Sequence, residues 1–291
     1  MRLLGLANPA AAGGRALRCL ARLRAERSVR HEVAWVVTRD AAEAQRTVLT
    51  ARDVDGVVLL GGDGTVHTAL GALAETGLPF GVVPAGRGND FVRNLGLRPR
   101  VAKTLLHATN LVVRHCDLAR VNGIPFANIA SVGFDAVVNR LAHEGAGVLG
   151  GTAGYVICVL RALAALRPVA AEITIDDWQW SGEVTMVAVA NGPCYGGGMR
   201  IAPDAALEDG LLDVCVVRRV SRSPLLRHFP RVFRGTHTRH PDVIMRRGAS
   251  VRVATEHPQD VYADGEWSGR TPASWTVQPR GLRVLVPQEA S

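Results

Sequence analysis

The 291-residue chain has a single lysine, Lys103, among its 34 basic residues. No GxxxxGK[ST] segment exists, so a phosphate-cradling lysine of the Walker type is excluded. Five cysteines (Cys19, Cys116, Cys158, Cys194 and Cys215) form no CxxC pair and no even framework, which fits a reduced, cytoplasmic setting. His237 and His240 have no HExxH or cysteine company, so metal binding is not expected there. No uncharged run is long enough to span a bilayer. The most apolar stretch, about Val148 to Leu166, contains Arg161 and several glycines and reads as a buried helix. The opening apolar run is too short for a secretory core. Repeats and low-complexity segments are also lacking.

What is present is globular: 47% hydrophobic residues with 21% charged. A chain this long buries a substantial core in one or two domains. The net charge of +8 implies an anionic partner: nucleotide, nucleic acid or acidic lipid. No motif supports nucleic acid.

The most informative stretch is Val57-Val58-Leu59-Leu60-Gly61-Gly62-Asp63-Gly64-Thr65. An apolar run enters a glycine corner, and Val66, Ala69, Leu70 and Leu73 then recur at helical spacing. Strand, corner and helix start together make an anion site, because glycine admits close backbone approach and the first helical N–H groups are unused. Asp63 stands where a carboxylate can hold Mg²⁺ against phosphates. Asp63-Gly64 is also a hairpin signal, but the following period is helical.

Strands at Leu3–Ala7, Glu32–Thr38, 57–60 and Phe80–Val83 alternate with helices at about Arg15–Glu26 (Leu17, Leu20 and Leu23 inward), from an Asp40 cap to about Thr50, and after Gly64. That order predicts a parallel α/β sheet with ligands at the carboxyl ends of its strands. Asn8-Pro9, Thr38, the first glycine corner and a second one, Pro84-Ala85-Gly86-Arg87-Gly88-Asn89-Asp90, fall at such ends. Val101–Thr109 reads as a helix and Val112–Val121 as a strand. Beyond about residue 121 short alternating runs dominate, predicting a second, β-rich domain over 121–279. A closing strand pair over Pro272–Pro287 has an end, about 280–291, that can return to the first domain of residues 1–120.

Three later stretches each admit two readings. Ala206 to Leu211, with Asp209, is a solvated acidic turn or a cation loop. Ser223–Gly235, with Arg227, Arg231 and Arg234, is a basic amphipathic helix with a merely solvated face or a face for anionic lipid. Val261-Tyr262-Ala263-Asp264-Gly265-Glu266 is a plain hairpin or a carrier of chemistry.

Taken in order, the Asn8-Pro9 loop, Gly61-Gly62-Asp63-Gly64-Thr65, the 84–90 loop, Ala202–Asp213 and Asp264-Gly265-Glu266 resemble the diacylglycerol kinase catalytic domain family, related to sphingosine and ceramide kinases. The resemblance implies a NAD kinase/phosphofructokinase-like α/β domain followed by a β-sandwich-like domain, with the active site in the cleft between them. It implies an ATP- and Mg²⁺-dependent lipid kinase acting on a diacylglycerol-like or sphingoid hydroxyl. ATP would be held by Asn8, Thr38, Gly61, Gly62, Asp63, Gly64, Thr65, Gly86, Gly88, Asn89 and Asp90. Arg87 stands where the family commonly has threonine, and either pairs with a phosphate or faces solvent. Glu266 would be general base, and Asp209 with the carbonyls of Ala206 and Leu211 would bind a structural Mg²⁺. The expected setting is the cytoplasm, peripheral to the inner face of the membrane, where the lipid acceptor is presented; a homodimer is left open. A soluble-substrate kinase of the NAD kinase type shares only the GGDG corner, and a non-catalytic nucleotide or lipid sensor would not need Asp63 and Glu266.

Overall fold

The computed structural model describes all residues except 10, 12, 27, 103, 146–151 and 289–291. Lys103 and parts of the 148–166 and 280–291 stretches therefore lie outside the described residues. The first lobe runs β1 (Arg2–Ala7), α1 (Arg15–Ala25), β2 (Glu32–Val37), α2 (Ala41–Leu49), β3 (Gly56–Gly61), α3 (Asp63–Thr76), β4 (Phe80–Pro84), α4 (Asp90–Asn94), α5 (Pro99–Ala102) and β5 (Leu111–Val121). The second contains β6 (Ile124–Phe126), β7 (Ile129–Gly133), α6 (Phe134–Gly145), α7 (Thr152–Ala164), β8 (Val169–Ile175), β9 (Trp178–Ala190) and β10 (Leu212–Arg218). It continues through α8 (Arg222–His228), two 3-10 turns, β11 (Val243–Gly248), β12 (Ser250–Thr255), β13 (Asp260–Ala263), β14 (Glu266–Arg270) and β15 (Ala273–Pro287).

In the first lobe the parallel strands lie in the order β2-β1-β3-β4. β3 is covered on both faces, which is why its apolar residues run without alternation. One face packs Val57 and Leu59 against α3; the other packs Val58 and Leu60 against Leu20 and Leu23 of α1. In α1 the buried set is Ala16, Leu20 and Leu23, whereas Leu17 is exposed. Positions 16, 20 and 23 share one helical stripe and 17 lies about 100° round from it. The chain leaves β1 toward β2 and crosses back to the other side of β1 for β3. The crevice between the ends of β1 and β3 is thus a switch point.

The second lobe is antiparallel, in the order β14-β13-β7-β9-β8-β12-β15, with β10 and β11 continuing from β9. Its interior packs Ile173, Val187, Val214, Val253 and Trp275 between strands, and α6 and α7 cover another face.

Three expectations need correction. The helix over 101–109 is only the single turn α5, followed by irregular turns. The basic segment 223–235 is α8 followed by a 3-10 turn over Phe229–Arg234, because Pro230 has no N–H to continue the α ladder. The closing strand pair is one strand, β15, which pairs antiparallel with β5 through both lobes and parallel with β4 at Val284. At Pro279-Arg280-Gly281 it carries a register shift. Arg280 there has φ 56° and donates its N–H to Asp117 Oδ1 at 2.8 Å.

Candidate active site

The two glycine corners meet backbone to backbone. A Cβ on Gly62 would stand 2.9 Å from Gly86 Cα, and one on Gly86 would stand 2.6 Å from Gly62 Cα. Any side chain at either position forces the loops apart. Gly61 is constrained within its own corner, since its Cβ would fall 2.1 Å from Thr65 Oγ1. Gly64 differs: nothing lies within 4 Å of its Cβ position, so the start of α3 opens into free space there. Thr65 and Val66 donate their N–H groups to Gly62 O at 2.9 and 3.2 Å, and no side chain caps the helix. Asn8 follows β1, and its carbonyl accepts from Ala11 N at 3.1 Å. Thr38 is buried beside it and donates its N–H to Ala7 O at 3.1 Å.

The second corner is held by Asn89, which sits at φ 53° and exchanges two 3.0 Å hydrogen bonds with the Gly86 backbone. Arg87 is exposed. Two carboxylates converge at Gly88, whose Cβ would lie 3.0 Å from Asp63 Oδ2 and 3.2 Å from Asp90 Oδ2. Asp63 accepts from Phe91 N at 3.0 Å. Burial, reinforced by Asp90 and Asp264, pushes its pKa up to about 6. Asp90 is also raised, chiefly by burial. Its Oδ2 accepts from Gly197 N at 2.7 Å, while its Oδ1 is buried without a hydrogen-bond partner.

Across the cleft, β13 and β14 join through Asp264 and Gly265, with φ of 50° and 89°. The backbone is thus the hairpin expected of Asp-Gly. The Asp264 side chain turns inward, only 1% exposed, and accepts from Ala127, Asn128 and Ile129 N–H groups at 2.7, 2.8 and 3.3 Å. His67 of α3 faces it, with Nδ1 3.5 Å from Oδ2. Burial lowers the His67 pKa, but Asp264 and then Glu266 outweigh it and the net shift is upward. Glu266 is exposed at the mouth of the cleft, within electrostatic reach of His67. The lobes are further tied by Asn94, whose side chain bonds Asn128 Oδ1 at 2.8 Å and the Cys194 backbone O and N at 2.9 and 3.0 Å.

The 206–211 loop is held elsewhere. Asp209 pairs with Arg247 through Oδ2 and accepts from Leu211 N at 3.0 Å through Oδ1. The loop is clamped to β5 by Asp117, which accepts from Gly210 N at 2.6 Å and donates its own N–H to Leu207 O at 2.6 Å. Each oxygen of Asp209 thus has one partner, and the Arg247 guanidinium stands beside the carboxylate.

Sequence reading had missed His67, Asn94, Gly197 and Asp264 as members of the cleft. Asp264 alone carried a signal, as the first residue of the Asp-Gly-Glu triplet.

A glycine-cornered α/β lobe thus faces an antiparallel lobe across a carboxylate-lined cleft. Residues 2–121 match the family model described as the diacylglycerol kinase catalytic domain, and residues 128–286 match the YegS C-terminal NAD kinase beta sandwich-like domain. The chain belongs to the diacylglycerol kinase family, and is a kinase of that group. It is 36% identical to a diacylglycerol kinase of Mycobacterium tuberculosis, over 99% of this chain and 96% of that one. It is 31% identical to a probable lipid kinase YegS-like of Pseudomonas aeruginosa, over 90% and 87% of the two chains. A solved structure described as a putative diacylglycerol kinase from Bacillus anthracis superposes with TM-score 0.78 at 25% identity, covering 100% of this chain and 98% of that one.

Proposed function

We propose that the protein transfers the γ-phosphoryl group of ATP to a hydroxyl of a diacylglycerol-like or sphingoid lipid. The observation carrying this reading is the meeting of the glycine corners with the Asp264–Glu266 turn at one opening, through the His67–Asp264 contact. Phosphate would lie against the open start of α3 at Gly64, where free N–H groups and the helix dipole favour anions. Thr65, Gly88 and Asn89 shape the floor beside it, and Asn8 and Thr38 its edge.

Mg²⁺ fits Asp63 and Asp90, since an oxygen of each converges on Gly88 and Asp90 Oδ1 is buried without a hydrogen-bond partner, with only Arg93 Nε 3.7 Å away. When bound, the ion would neutralise phosphate charge. We assign Asp209 to its ion pair with Arg247 rather than to Mg²⁺. Glu266 is the general base. An alcohol is a poor nucleophile at neutral pH, and a carboxylate within reach of its proton lowers the barrier.

The lipid reading is supported by an apolar cavity in the second lobe, lined among others by Phe134, Val138, Met186, Leu225, Phe229 and Val232. Tyr195 and Met199 line it as well, and Gly197 between them donates to Asp90. One short turn thus borders both the apolar cavity and the catalytic carboxylates. Over the cavity lie α8 and its 3-10 turn, with Leu226 and Phe233 51% and 49% exposed among arginines. Such a face suits peripheral contact with an anionic bilayer; no helix among the described residues is long and apolar enough to cross one.

The test is labelled-phosphate transfer from ATP into an extracted lipid mixture, with Glu266→Gln run in parallel. Product from the parent and almost none from the variant is expected. Equal product from both removes Glu266 from the mechanism.

A further inference from the structure

Among the described residues, three polar links at the carboxylate cleft differ in kind. Asn94 makes hydrogen bonds of 2.8 to 3.0 Å to Asn128 and Cys194, and Asp90 takes the Gly197 N–H at 2.7 Å. Both are short and well made. The third, His67 Nδ1 to Asp264 Oδ2, is an ion-pair contact of 3.5 Å that leaves the buried Nδ1 without a hydrogen-bond partner, and it is the one beside Glu266. Asp264 itself is not free to move. It is buried, sits in a turn at φ 50° and is bound by the 127–129 backbone. Two residues further on, Glu266 is exposed and within electrostatic reach of His67. The imidazole of His67, one helical turn after Asp63, is therefore where the helix carrying the phosphate corner touches the turn carrying the base. Its side chain is 17% exposed, so little water competes for the contact.

We propose that His67 is a positioning residue which, by donating from Nδ1 to Asp264, sets the height of the Glu266 turn over the phosphate corner. This rests on the lipid kinase reading for its consequence, but not for the contact itself. A donor at that point aligns the general base with the acceptor hydroxyl. Without one, Asp264 keeps its backbone partners, the cleft keeps its other two links, and the base stands misplaced by a fraction of its working distance. Misplacements of about 1 Å cost on the order of 100-fold in rate while leaving ground-state binding nearly intact. Asp264 and Glu266 are the charged groups acting on His67, and Asp63 precedes it on α3.

Two variants and two readouts test the assignment. Asparagine places an amide donor close to where Nδ1 stands, and leucine keeps the bulk without a donor. With His67→Leu we expect kcat to fall between about 10- and 100-fold while KM for ATP changes less than about threefold; His67→Asn should recover most of the loss. Amide hydrogen exchange in the intact protein reads the contact without any lipid. In His67→Leu the amides of Gly265 to Trp267 should exchange about tenfold faster, with those of Gly61 to Thr65 unchanged. Wild-type kcat in His67→Leu, equal loss in both variants, or exchange unaltered at 265–267 would each overturn the proposal. Exchange raised through α3 as a whole would also overturn it, by reducing His67 to a structural role. Faster exchange at the turn in a protein that phosphorylates no lipid would leave the positioning contact standing and refute the lipid kinase reading instead.

Discussion

Replacing Gly64 by alanine separates what the corner does for the fold from what it does for a ligand. Gly64 is the second residue of α3, its φ is not positive, and its Cβ would meet nothing within 4 Å. Alanine there restricts the unfolded chain and favours the helix, worth about 0.4 to 1 kcal/mol. In a chain of this size that raises the melting temperature by on the order of 1 to 3 °C. The same methyl group would occupy the space through which a phosphate must approach the backbone. If affinity falls tenfold, the stabilisation from a ligand at 100 times the parent Kd drops from about 2.7 to about 1.4 kcal/mol. Thermal melts with and without Mg-ATP measure both effects at once. The ligand-free variant should melt slightly higher than the parent, and its nucleotide-induced shift should shrink by about half. A full shift in a stable Gly64→Ala protein would refute the placement of phosphate at the start of α3. Gly62→Ala is the contrasting case: its Cβ lies 2.9 Å from Gly86 Cα, so backbone must move and stability should drop by about 1 to 3 kcal/mol.

Asp63→Asn should stabilise the ligand-free protein while abolishing activity. Because the folded pKa is raised to about 6 by burial, the protonated form is favoured in the fold, and that contribution is lost as pH climbs from about 4 to 6. The variant escapes this loss, so its stability advantage over the parent should be near zero at pH 4 and grow to on the order of 1 to 3 kcal/mol at pH 7.5, read by denaturant melts. Asp209→Asn should leave the Mg²⁺ dependence of turnover unchanged within about twofold, with thermal stability shifted by under about 1 kcal/mol, since its ion pair is partly exposed. Leu226→Asp combined with Phe233→Asp should weaken sedimentation with anionic vesicles at least about tenfold, while leaving melting temperature within about 2 °C. Unchanged vesicle binding would remove α8 from the bilayer contact.

Much of the first lobe was legible because local chemistry dictates it. An unbroken apolar strand feeding Gly61-Gly62 and a helical period beginning at Val66 leave few alternatives, and Asp40 caps α2 as its type and place indicate, accepting from Glu43 N at 2.7 Å. The cleft was legible only through its motifs. Its working contacts join residues far apart in sequence: Asp90 with Gly197, Asn94 with Cys194, Asp264 with Ala127, separated by 107, 100 and 137 positions. No periodicity in either segment encodes such a pairing. The closing stretch Pro272–Pro287 is one strand and not a pair for a related reason: Asp117 captures the Arg280 N–H, the register shifts, and the strand resumes on the far side. The Asp209–Arg247 pair was illegible for the same reason, since only the β10–β11 pairing brings that arginine alongside the carboxylate.

The joining of β15 to β4 and to the whole length of β5 has a consequence for how the molecule is made. The nucleotide corner emerges early from the ribosome, yet the sheet beneath it stays one ladder short until residues near Val284 arrive. A fragment ending after β5 would expose the unpaired edge of β4 together with one whole flank of β5, an open template for self-association. The nascent first lobe is therefore expected to wait, partly formed, for the rest of the chain, and a stop codon before β15 would leave the sheet under the glycine corner incomplete at the opposite end of the gene's reading order.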